Sequence, residues 1–79
     1  MKTLFRVGQQ VRIASVPIWL GQLPEESRDV FMVCLGSVFP IEETEREGVL
    51  VLNVSSVAVP RFGGHRHIQM VDPGDVVPA

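Results

Sequence analysis

From Gln10 onward the chain alternates, with Val11 and Ile13 set against Gln10, Arg12 and Ala14, the period of two that marks a half-buried strand. The pattern predicts a strand over Gln10 to Val16, preceded by a turn at Gly8 and closed by Pro17, which cannot donate to a ladder. An apolar connection, Ile18 to Leu23, leads to Pro24-Glu25-Glu26, where proline at the first helical position and acids in the first turn fit a helix start. Along Glu25 to Leu35, the residues Val30, Phe31, Cys34 and Leu35 fall on one side of a helix, and Gly36 suits the left-handed cap after its last turn. Met32 and Val33 widen the apolar stripe, so the second half of this helix is expected to be more buried than a surface helix.

Ser37 to Glu43 reads as a short strand whose Pro40 confines it to a sheet edge or a bulge. Glu42 to Gly48 is a charged turn, and Val49-Leu-Val-Leu-Asn-Val54 beyond it is the strongest strand signal in the chain, so the two strands are expected to form a hairpin. The chain then runs through Val57-Ala58-Val59-Pro60 to a Gly63-Gly64 break. A final strand follows over His65 to Val71, with Ile68 and Met70 alternating against His67 and Gln69. Residues 72–79 begin with a Pro73-Gly74 turn and are expected to form a loosely held tail of the single domain 1–79.

The run Val49 to Leu52 does not alternate. Val49 and Val51 point one way and Leu50 and Leu52 the other, so both faces of this strand need cover, from the helix or from a partner chain. Trp19 reads either as a lid on the core or as an interface anchor, where tryptophan is over-represented. With Met32 and Val33, these residues supply more apolar surface than a 79-residue core readily encloses, which leads to the expectation of a protein partner or a homodimer.

Charge narrows the partners. Seven basic and nine acidic side chains give a net charge of −2, which argues against nucleic acid as the main partner. Residues 25–47 hold seven acids and two arginines, and Glu42, Glu43, Glu45 and Glu47, with Arg46 among them, form the densest charged stretch. That stretch reads as a solvated turn or as an anionic surface for a basic partner. Arg61-Phe62-Gly63-Gly64-His65-Arg66 is the alternative, a nucleic-acid contact by stacking and phosphate pairing, although two arginines release few counterions.

The chemistry of catalysis is sparse. There is no phosphate-binding glycine loop, no paired-cysteine motif, no Gly-x-Ser-x-Gly elbow and no tyrosine, so the chain reads as non-enzymatic and without a cofactor. His65 and His67 would share a strand face, but a metal site would still need ligands from elsewhere, and none is assigned. Cys34 lies in the apolar stripe and reads as packing. As the only cysteine it makes no internal disulfide, which with the absence of an apolar leader after Met1 points to the cytoplasm. The Asn53-Val54-Ser55 triplet lies at the end of a strand rather than in a glycosylated loop. Forty-six per cent hydrophobic residues interrupted by charge, Gly and Pro describe a globular chain with no membrane span.

Taken together, the segment Phe5 to Ile13 with its Gly8 turn, the hairpin Val38 to Val54 and the closing strand His65 to Val71 with Pro73 behind it resemble a small SH3-like β-barrel. The resemblance is one of fold. It implies a mainly β domain of four to five strands with one inserted α-helix over about residues 24–35. Barrels of this shape serve in nucleic-acid machines, enzyme subunits and small accessory proteins. Peptide-binding SH3 domains line their groove with tyrosines and tryptophans, and this chain has no Tyr and one Trp, which points away from proline-peptide recognition. The expected function is therefore that of a protein-interaction module. Its candidate interface residues are Trp19, Met32, Val49, Val51, Glu42, Glu43, Glu45 and Glu47, and Arg61, Phe62 and Arg66 carry the nucleic-acid alternative.

Overall fold

A computed structural model of the chain describes residues 5–45 and 47–79. Five antiparallel strands form one sheet: β1 (Gln10–Ile13), β2 (Val38–Thr44), β3 (Leu50–Asn53), β4 (Ile68–Val71) and β5 (Val76–Pro78), in the spatial order β4-β3-β2-β1-β5. Between β1 and β2 lie a 3₁₀ turn at Leu20–Gln22 and helix α1 (Glu25–Cys34). Helix α2 (Ser55–Phe62) joins β3 to β4, and a second 3₁₀ turn at Pro73–Asp75 joins β4 to β5. The sheet is mainly β architecture without closure into a barrel, since β4 and β5 are its outer strands.

The core follows the alternation. Val11 and Ile13 of β1, Phe39 and Ile41 of β2, Leu50 and Leu52 of β3 and Val71 of β4 form one buried face, which Val30, Phe31 and Cys34 of α1 complete. Leu35 packs against this core as a partly buried residue. The chain leaves α1 at Leu35 (φ −59°, ψ 129°), and Gly36 at φ +87° completes a turn into β2 in which the Ser37 N–H donates to the Cys34 carbonyl at 3.0 Å, while the Gly36 N–H donates to the Ile13 carbonyl at 2.8 Å. Contrary to the reading of a deeply buried second half, Met32 of α1 is exposed while Val33 packs against the core.

Pro40 lies in a central strand, and a change of partner makes this tolerable. Residues 38–40 pair with β1, whereas the ladder to β3 begins at Ile41. The Ile41 N–H donates to the Gln9 carbonyl at 2.9 Å, so alternation turns the Pro40 nitrogen toward the β3 side, beyond the last pair of the β2–β3 ladder. A bulge between Ile41 and Glu43 follows, with Glu42 as the extra residue. The β2–β3 hairpin then turns through Glu45 and Gly48, as the charged turn predicts, while Arg46 lies outside the described residues.

Two expectations are corrected. Among the described residues there are two helices, not one: α2 buries Ala58 and packs Val57 against the core, with Val54 ahead of it fully buried. Val57, Val59 and Pro60 are weak helix formers, and burial of the Val54, Val57, Ala58 spacing outweighs them. Residues 72–79 are not a loose tail. The Asp75 carbonyl accepts from the N–H groups of Ala14 and Ser15 at 2.8 and 3.2 Å, the Ala79 N–H donates to the Gln10 carbonyl at 3.1 Å, and Val76 is buried. The free edge of β1 supplies the partner that an isolated reading of this segment lacks.

β4 is inverted relative to its polarity. Gln69 is 8% exposed, whereas Ile68 and Met70 are each 47% exposed. Gln69 lies opposite Leu52 and Val71 opposite Leu50, so the register with β3 places Gln69 on the core face.

Candidate functional site

The turn that carries Trp19 is held by backbone bonds: the Leu20 N–H donates to the Pro17 carbonyl at 3.1 Å and the Gln22 N–H to the Trp19 carbonyl at 3.0 Å. The Trp19 indole Nε1–H donates to Asp72 Oδ2 at 2.8 Å in a partly buried setting. Asp72 in turn sits in extended backbone immediately before the second 3₁₀ turn, and its carbonyl accepts the Asp75 N–H at 3.0 Å. Ser15 Oγ donates to Asp75 Oδ1 at 2.6 Å, which ties the same turn to the end of β1. The indole is therefore fixed at its polar end.

Beside it, the hairpin turn presents Glu45 and Glu47. The Glu45 N–H donates to the Val49 carbonyl at 2.8 Å and the Gly48 N–H to the Glu45 carbonyl at 3.0 Å, with Gly48 at φ +86° making the reversal. Trp19, Glu45, Glu47, Val49, Met70 and Asp72 together line an open pocket of about 410 Å³. Its surface is mostly apolar, from the indole, the valine and the thioether, and every charged side chain among its described lining residues is a carboxylate. Such a cleft has the shape and charge to take an apolar stem with a cationic head.

The structure divides the residues singled out from the sequence. Trp19, Val49, Glu45 and Glu47 come together in the pocket, joined by Met70 and Asp72, which the sequence reading left out. Glu43 is exposed and lies opposite Val51 in the β2–β3 register. Val51 is 4% exposed and Leu50 and Leu52 are fully buried, so both faces of β3 are covered within one chain. Met32 is exposed on α1 and is not among the pocket residues. Glu42, the bulge residue, turns its carboxylate to the Arg66 guanidinium in an ion pair, and this pairing raises the Arg66 pKa further above its usual value.

That ion pair changes the Arg61 to Arg66 loop. Arg61 and Phe62 are exposed at the end of α2, but Arg66 already faces a carboxylate. His67 is held from two sides, with Nε2 2.7 Å from the Gly63 carbonyl and its backbone N–H donating to Ser55 Oγ of α2 at 2.9 Å. Among the described residues no group of three or more His, Cys, Asp or Glu side chains is placed to hold a metal ion. Cys34 is buried, and burial pushes its thiol up to about 11, which leaves little thiolate at neutral pH. No helix among the described residues is long and apolar enough to cross a membrane. Comparison with protein-family models, with curated proteins and with solved structures finds no match to this chain.

Proposed function

We propose that this chain is a non-enzymatic protein-interaction module with an SH3-like fold, which grips a partner through a lysine or arginine side chain. The pocket between Trp19 and the Glu45–Val49 turn carries the reading, because it joins a fixed aromatic ring and apolar walls to three carboxylates. A guanidinium or ammonium group over the indole gains about 0.5–2 kcal/mol from the ring, and the carboxylates draw it in and orient it. The SH3-like assignment is supported by β2 serving two ladders, by the 3₁₀ turn between β4 and β5, and by the return of β5 to β1. A single buried thiol suits a reducing compartment such as the cytoplasm. The nucleic-acid alternative loses support, since one of its two arginines is paired with Glu42.

Trp19 is the only tryptophan, so its emission and its indole N–H resonance report on the pocket alone. Titration with short peptides that differ only in carrying arginine, lysine, glutamine or glutamate at one position tests the reading. Arginine and lysine peptides should shift both signals, with binding that weakens as salt rises and is lost in the Glu45→Gln, Glu47→Gln double variant. Equal responses to all four peptides, or none at millimolar concentration, would refute it.

A further inference from the structure

Among the described residues β4 is an outer strand with no partner on its far side. The Val54 N–H donates to the His67 carbonyl at 3.0 Å, and with the pairs Leu52–Gln69 and Leu50–Val71 this makes the odd-numbered residues those whose backbone groups face β3. The N–H and C=O of Ile68 and Met70 therefore point away from the sheet. The side chains of the same two residues stand exposed on its outer face. An edge of this kind ordinarily carries charge or proline to prevent pairing, and within β4 there is neither.

We infer that β4 pairs antiparallel with β4 of a second copy, about a twofold axis at Gln69, to join two sheets into one. Only a register of this parity works. With Gln69 opposite Gln69, Ile68 of one copy faces Met70 of the other, and both residues of each such pair carry outward backbone groups, so they exchange two hydrogen bonds. A shift by one residue sets outward groups against inward ones.

Charge supports a copy of this same chain as the occupant. Continuing the register, Arg66 comes opposite Asp72 of the second copy, and Asp72 opposite its Arg66. The outer-face ladder thus reads Arg66, Ile68, Met70, Asp72 against Asp72, Met70, Ile68, Arg66, which is complementary at every rung. Asp72 also lines the pocket with Trp19, Glu45 and Glu47. The second copy's guanidinium, exchanging its own Glu42 for Asp72, then arrives at the rim of an acidic, aromatic cleft that receives such a group. The guanidinium's place in the cleft rests on the function proposed above, whereas the strand pairing does not.

Sedimentation equilibrium of the full chain over a range of concentrations tests the inference. The average mass should rise with concentration from 8.7 kDa toward twice that value. Ile68→Lys, at an exposed site outside the pocket, should weaken association by about tenfold or more, because it sets a charge on the pairing edge against the apolar Met70 of the other copy. It should leave the Trp19 response to arginine peptides intact, so a failed dimer and a failed pocket are told apart. Arg66→Glu and Asp72→Arg should each be monomeric alone, since each places like charges on facing rungs, and should form a one-to-one dimer when mixed. Amide spectra of each variant establish that its monomer is folded. A wild-type chain that stays monomeric up to about 1 mM, an Ile68→Lys variant that associates like the wild type, or a charge-swapped pair that fails to associate when mixed would overturn the inference.

Discussion

The Trp19 indole donates its Nε1–H to Asp72 Oδ2 at 2.8 Å, linking two residues 53 positions apart. The bond joins the turn after β1 to the turn before β5, so it aligns the two segments that frame the pocket and holds the ring against rotation. A hydrogen bond to a charged acceptor contributes about 1.5–3 kcal/mol when well buried, and partial exposure brings this toward the lower end. Trp19→Phe and Asp72→Ala should each lower stability, and a double-mutant cycle in urea should return a coupling of about 1 kcal/mol. A coupling indistinguishable from zero would show that the bond does not hold the pocket.

Phe31 is fully buried where α1 meets the sheet. Replacing it with alanine leaves a cavity that short surrounding strands cannot collapse to fill, at a cost of about 3–5 kcal/mol. That is most of the stability of a domain this size. The Phe31→Ala protein should therefore unfold near room temperature, as followed by circular dichroism.

Removal of residues 73–79 tests the role of β5. The segment buries Val76 and bonds to β1 through the Asp75 carbonyl and the Ala79 N–H. Burial of one valine at about 1.5 kcal/mol and several backbone bonds at about 1 kcal/mol each suggest a loss of about 3–5 kcal/mol. A truncated chain that melts like the full one would mean that β1 is content without its outer partner.

Cys34 offers a chemical probe and a pH dependence. Its thiol, pushed by burial from 9.0 to about 11, should react with iodoacetamide at neutral pH only after unfolding in urea. The folded state favours the protonated thiol, so this contribution to stability is complete below about pH 9 and is lost as pH rises from 9 toward 11, because the unfolded chain ionises first. Cys34→Ala should remove that slope from the alkaline limb of a stability profile. A slope that persists unchanged would assign it to other groups.

Gly36 makes the turn between α1 and β2 in the left-handed region, at φ +87°, with open space around the position a Cβ would take. Gly36→Ala therefore meets no clash and should cost about 1 kcal/mol from backbone strain alone. A chemical melt measures this directly, and an unchanged midpoint would show that the helix end relaxes freely.

The local elements were legible because their causes are local. Alternation at Val11 and Ile13, the one-sided spacing of Val30, Phe31 and Cys34, and the turn residues Gly8, Gly36 and Gly48 each act within a few positions; α1 and the β2–β3 hairpin stand where they indicate, and β1 begins at Gln10 as expected but ends at Ile13 rather than Val16. The acidic turn and Trp19 were visible as candidates for the same reason. Their meeting was not, since no local pattern brings Trp19 to Val49, Met70 and Asp72.

Tertiary structure decided what alternation leaves open. A period of two states that Ile68 and Met70 share a face and that Gln69 has the other, but it does not state which face is inside. Pairing with β3 settles that by aligning Gln69 with Leu52 and Val71 with Leu50, even at the expense of two exposed apolar side chains. In the same way α2 forms from weak helix formers because Val54 and Ala58 find a core to enter, and Val76 becomes a strand residue because β1 has an unpaired edge. By itself the sequence determined turns, helix faces and strand alternation, which depend on neighbours along the chain. Burial, strand partners and the pocket depend on neighbours in space.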